Sequence, residues 1–164
     1  MKTLILAFTF AAVCLAQSAV KDVDIDNLHR FKSVCTVTTA ATTAKCALVV
    51  PSTANKNTYL ESVVVTTPAA VSITFGRGGT APSATAQTTV ARNTATTSVA
   101  TVYQDATTAG AATSSVSYTN PASTDTLWDL SGEVFPKNTA NTLLVTAGSS
   151  TGTVQMVFFW AQEK

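Results

Sequence analysis

The chain has 164 residues, 46% hydrophobic and 12% charged, with ten Lys and Arg against nine Asp and Glu and a single histidine. That length suits one domain, and a net charge of +1 excludes the basic excess with which nucleic-acid-binding surfaces attract phosphates. Thr and Ala make up roughly a third of the residues, and the charged share is about half that of an average soluble domain.

Met1 and Lys2 give a short positive start, and Leu4 to Leu15 form an apolar run broken only by Thr9. Ala16, Ser18 and Ala19 follow before Lys21. This is the layout of a secretory signal peptide, and the run is shorter than the roughly 20 residues a membrane span needs. Residues 1–16 are assigned to it, with cleavage after Ala16 or, alternatively, after Ser18. A lipid anchor on Cys14 is the competing reading, disfavoured because bulky Val13 precedes the cysteine. No later segment suits a transmembrane anchor, so the expected location is secreted, extracellular or periplasmic. Loss of the leader removes Lys2 and leaves nine basic groups against nine acidic ones. Such a neutral surface relies on hydroxyls for solubility.

Residues 17–34 form an N-terminal segment readable as a short helix or a strand. Over Asp24–Lys32, Asp26 can cap a helix whose one face holds Leu28 and Phe31; Val23 and Ile25 suit a strand instead. The spacing of Asp22, Asp24 and Asp26 resembles the first half of an EF-hand loop. Asn27, however, stands where that loop needs Gly, and Ser33 where it needs a bidentate Glu. The three aspartates are therefore candidates for a looser calcium site, weighed against a plain solvated edge, and no cofactor is expected. His29 has no sequence-adjacent base or ligand partner and reads as a surface or capping residue.

Residues 35–164 read as the folded domain. Cys35 and Cys46 lie in strand-like runs, Phe31–Thr39 and Ala44–Val50, which as a hairpin or neighbouring strands bring the sulfurs within bridging distance. In an exported protein that predicts a disulfide. Further runs rich in Val, Ile, Thr and aromatics follow at Tyr59–Thr67, Val71–Phe75, Thr88–Ala91, Ser98–Tyr103 and Ser115–Tyr118. A short strand near Leu127–Leu130 lies within the connector 120–136, and Thr142–Thr146 and Thr153–Gln162 close the series. Val71, Ile73 and Phe75 alternate with Ser72 and Thr74, giving one buried and one wet face. In the last strand Val154, Met156, Phe158 and Trp160 share a face and Val157 and Phe159 the other, so cover on both faces is expected. Glycines at Gly76-Arg77-Gly78-Gly79 and at Gly148 and Gly152 suit tight reversals. About eight to ten short strands with several hairpins imply an all-β fold, an antiparallel β-sandwich or jelly roll.

Signatures of catalysis are sparse. No serine-nucleophile motif occurs, and the glycine cluster lacks the Lys and the following helix of a phosphate cradle. A hydrolase would draw on Glu61, Asp105, Asp125, Asp129, Glu133 or Glu163, whose spatial pairing a sequence does not show. Sugar-stacking rings would come from Tyr59, Tyr103, Tyr118 or Trp128, with Trp128 and Tyr103 the leading ligand-binding candidates. A Trp between Leu127 and Leu130 also suits a core or cover role.

The segment EVFPKNTANTLLVTAGSSTGTVQMVFFWAQEK brings a strand to a polar turn, then an apolar strand, a glycine turn and a long aromatic final strand. It resembles the closing part of small jelly-roll proteins of phage particles and bacterial surfaces, and YLESVVVTTPAAVSITFGRGG is similar to their first hairpin. The likeness is one of pattern over about half of the chain. Those proteins usually lack a signal peptide, a point on which this chain departs from them. The resemblance implies a jelly roll and a homo-oligomer, trimers among the forms expected. Export, hydroxyl-rich faces and near-zero mature charge lead to one expectation: a secreted, non-enzymatic, self-associating structural, surface or adhesive protein. The alternatives are a carbohydrate-binding module that takes a surface glycan or polysaccharide, and a secreted hydrolase using paired carboxylates.

Overall fold

A computed structural model of the chain describes residues 27–40, 44–78, 85–93, 96–104, 114–120, 125–148 and 151–164. The signal-peptide region, Cys14 and Asp22, Asp24 and Asp26 lie outside these residues. The strands are, in chain order, β1 (Leu28–Ala40), β2 (Ala44–Val50), β3 (Thr58–Thr66), β4 (Val71–Arg77), β5 (Thr89–Ala91) and β6 (Thr101–Gln104). They continue with β7 (Ser114–Asn120), β8 (Asp125–Asp129), β9 (Val134–Phe135), β10 (Asn141–Ala147) and β11 (Thr151–Glu163). The helix option for Asp24–Lys32 is not realised over its described part, because Leu28–Lys32 already belong to β1. The physical reason is the period. Phe31, Ser33, Cys35 and Val37 are buried while Lys32, Thr36 and Thr38 are exposed, and an alternation of two cannot be served by a helix.

All-β architecture holds: two antiparallel sheets pack face to face, ordered β5-β1-β11-β3-β8 (with β9 also on β3) and β6-β2-β10-β4-β7. Setting aside β5, β6 and β9, the first strand pairs with the last, β1 with β11. The second pairs with the second-last, β2 with β10, the third with the third-last, β3 with β8, and the two central ones, β4 and β7, with each other. This nested pairing of eight strands over two sheets is the jelly roll.

The expected hairpins do not form, since among the described strands no two consecutive ones are partners. β3 and β4 lie in different sheets, as do β10 and β11, so Thr67–Ala70 carries the chain from one sheet to the other, and Gly76 and Arg77 lie inside β4. The apolar faces of successive strands meet across the sandwich instead. Leu60, Val63 and Val65 of β3 and Val71, Ile73 and Phe75 of β4 belong to one core, and strands on opposite sheets bury such faces against each other. Cys35 and Cys46 are bonded, with 6.3 Å between their Cα atoms, but they link β1 to β2 across the sandwich and not within a hairpin.

Trp160 and Phe31 stack at 5.8 Å between ring centroids, and both are buried with Phe158, Met156 and Phe135. A polar cluster lies at the same end. Trp160 Nε1 donates to Ser98 Oγ at 3.2 Å, and the Val99 amide donates to Gln162 Oε1 at 3.1 Å. Gln162 Nε2 donates to Thr58 Oγ1 at 3.0 Å. In β3 one extra residue, Glu61, interrupts the register, so that Trp160 faces Leu60 while Phe159 faces Ser62. The bulge reverses the parity of the strand: Leu60 points inward before it, Val63 and Val65 after it.

Candidate interaction surface

The outward face of the β5-β1-β11-β3-β8 sheet is laid out by register. Val34 lies opposite Val157, Val157 opposite Val64, and Val64 opposite Leu127. Four apolar side chains thus form one row across four strands. The first three are half-buried by their neighbours, and Leu127 at the edge is 64% exposed. One row along stand Val90, Lys32, Phe159, Ser62 and Asp129. On the other side stand Thr36, Gln155, Thr66 and Asp125. The cover expected over both faces of β11 is therefore missing from the outer one among the described residues. Its Val157 and Phe159 are only partly buried and Gln155 is exposed.

Charge is arranged around this row. Arg92 reaches Glu61 Oε2 at 2.8 Å and lies 5.0 Å over the Phe159 ring, while Arg30 approaches Glu61 Oε1 at 3.5 Å. Lys32 is exposed beside them. Along β8 the exposed residues are Asp125, Leu127 and Asp129. Thr66 Oγ1 donates to Asp125, and the Ser131 amide donates to Asp129 at 2.8 Å, holding its carboxyl below the usual carboxylate range. Three cations less Glu61 leave two positive charges on the β1 side, against two negative ones on β8.

The other residues singled out in the sequence are placed as follows. Trp128 is partly buried and tilts against Phe75 at 5.4 Å, packed on the core as a cover residue. Tyr103 is half-buried in β6 opposite Ala47. Tyr59 donates to Glu163 Oε1 at 3.0 Å, and Glu133 pairs with Arg77, which also lies over the Phe135 ring at 5.3 Å. Asp105 lies outside the described residues, and Tyr118 falls in β7. His29 is half-buried in β1, with Nδ1 lacking a hydrogen-bond partner among the described residues. It is thus less exposed than a surface histidine. Among the described residues no group of three His, Cys, Asp or Glu side chains could hold a metal ion, and no helix is long and apolar enough to cross a membrane.

The apolar row itself escapes sequence reading because its members lie up to 123 residues apart. The one local signal is Val63-Val64-Val65, in which a residue flanked by two buried valines must point outward. Comparison with protein-family models, curated proteins and solved structures gives no match to this chain.

Proposed function

We propose that the protein is a secreted, non-enzymatic jelly roll that acts as a structural, surface or adhesive component and associates with itself. The observation carrying this reading is the apolar row Val34–Val157–Val64–Leu127 on an outward sheet face. An ordered stripe of this kind, ringed by hydroxyls and charges, is the usual mark of a contact surface. The carboxylates support the non-enzymatic part. Glu61, Glu133 and Glu163 are each engaged by cations or hydrogen-bond donors that hold strands and turns, and Asp125 and Asp129 by neighbouring donors. Near-zero mature charge removes the repulsion that keeps many copies apart. Light scattering on the exported protein after size exclusion is expected to give a mass above that of one chain. A monomer at all concentrations refutes the reading.

A carbohydrate-binding module is the second reading. Its ring candidate is Tyr103, half-buried on the outer side of β6, in a row whose other members, Ala47, Leu144 and Gly76, are buried. Retention on a polysaccharide matrix that is lost in Tyr103→Ala supports it, and retention unchanged by that substitution removes it.

A further inference from the structure

Resting on the self-association proposed above, we infer that the occupant of the β5-β1-β11-β3-β8 face is a second copy of this chain. It docks face to face about a two-fold axis that runs parallel to the strands, between β11 and β3. The charge pattern selects this axis. A two-fold along the strands lays the apolar row on itself in reverse, so that each Leu127 meets the β1 side of the other copy. It also sets Lys32 of one copy opposite Asp129 of the other, since both lie in the same row at opposite edges. A two-fold across the strands would instead oppose rows on either side of the apolar one. Asp129 would then face the second copy's Asp125, and like charges held opposite each other are destabilising.

The dimensions agree. Four strands spaced about 4.8 Å apart, two of 13 residues, one of nine and one of five, present a face of about 650 Å² at about 3.4 Å per residue. That lies at the lower end of what one partner contributes to a standard specific interface. Such an interface is isologous, so every contact is made twice and the assembly closes at two copies. Two twisted sheets meeting this way keep their strands within about 30° of each other, the angle usual in sandwiches.

The test is sedimentation velocity on the exported protein over a concentration series, with thermal melting to show that each variant is folded. Leu127→Asp, at an outward position, is expected to raise the dissociation constant of the dimer at least about tenfold, leaving the melting temperature of the monomer unchanged. Lys32→Glu and Asp129→Lys are each expected to raise it about tenfold, and together to return it to within about threefold of the starting value. Asp129→Asn keeps an acceptor for the Ser131 amide and should weaken the dimer less than Asp129→Lys. Assembly that is indifferent to all of these overturns the proposed face while leaving self-association intact. Weakening without rescue by the double exchange overturns the two-fold. A wild-type protein that stays monomeric overturns both this inference and the reading beneath it.

Discussion

Cys35 and Cys46 join the first strand of one sheet to the first strand of the other, with both residues fully buried. The bridge closes a ring of 11 residues in sequence separation, and loop entropy assigns such a ring a stabilisation of about 2–3 kcal/mol. The double substitution Cys35→Ala/Cys46→Ala is expected to lower unfolding free energy by about that amount in urea titrations. Mild reductant without denaturant should leave the native protein oxidised for long periods, because neither sulfur is accessible. Rapid reduction at native conditions, followed by mass spectrometry, would count against this packing.

Gln162 is the most consequential buried polar side chain. It accepts from the Val99 amide and from Ser98 Oγ and donates to Thr58 Oγ1, at 1% exposure. Gln162→Leu removes all three partners at once and leaves a backbone amide and a buried hydroxyl unsatisfied. The expected cost is about 2–4 kcal/mol. Chemical denaturation checks it, and a loss under about 1 kcal/mol would show that water can replace the side chain.

Glu163 gives the fold an acid limit. Partial burial acts to raise its pKa, but hydrogen bonds from Asn57 and Tyr59 and the charge of Lys137 outweigh it and hold the carboxyl below its ordinary value. A depressed folded-state pKa contributes stability that is present above the unfolded value, about 4.3, and is lost as pH falls through the folded one. Tyr59 has the opposite shift. Burial, then its bond to Glu163 and that residue's charge, raise the phenol above 10.0, so its contribution is full below that value and is lost as pH rises through the folded pKa. Melting temperature measured from pH 3 to 7 should fall less steeply on the acid side in Glu163→Gln than in the wild type. Identical slopes would dissociate this carboxylate from acid unfolding.

Arg92 offers a contrast in scale. Its bond to Glu61 and its place over Phe159 are both at the surface, where screened pairs contribute little. Arg92→Ala is expected to cost no more than about 1 kcal/mol. A loss above about 2 kcal/mol would mean that the arginine's aliphatic stem supports the β1–β5 edge more than charge alone implies.

Most of the strands were legible as short runs of alternation: Val71–Phe75, Ala44–Val50 and the final strand lie where their patterns put them. Strand identity survives because alternation is local. What escaped was membership of a sheet, since the same apolar face results whether the next strand pairs alongside or packs opposite. Thus Cys35 and Cys46 were correctly joined on the wrong geometry. The bulge at Glu61 carries no signature beyond one polar residue too many between Leu60 and Val63. The contact surface was legible least of all, because Val34, Val64, Leu127 and Val157 become neighbours only through the ladder.

The nested pairing also decides how the molecule bears load. Leu28 lies directly opposite Glu163 at one end of the 13-residue β1–β11 ladder, so tension applied at those two points meets the hydrogen bonds singly and not all together. Strands drawn apart in this way open like a zip, at far lower force than strands made to slide. The buried Cys35–Cys46 bond halts the opening on the β1 side seven residues in, where the pull passes to the second sheet. A sandwich built on this plan withstands tension through its disulfide and its packed faces, while the Leu28–Glu163 end of the ladder gives way first.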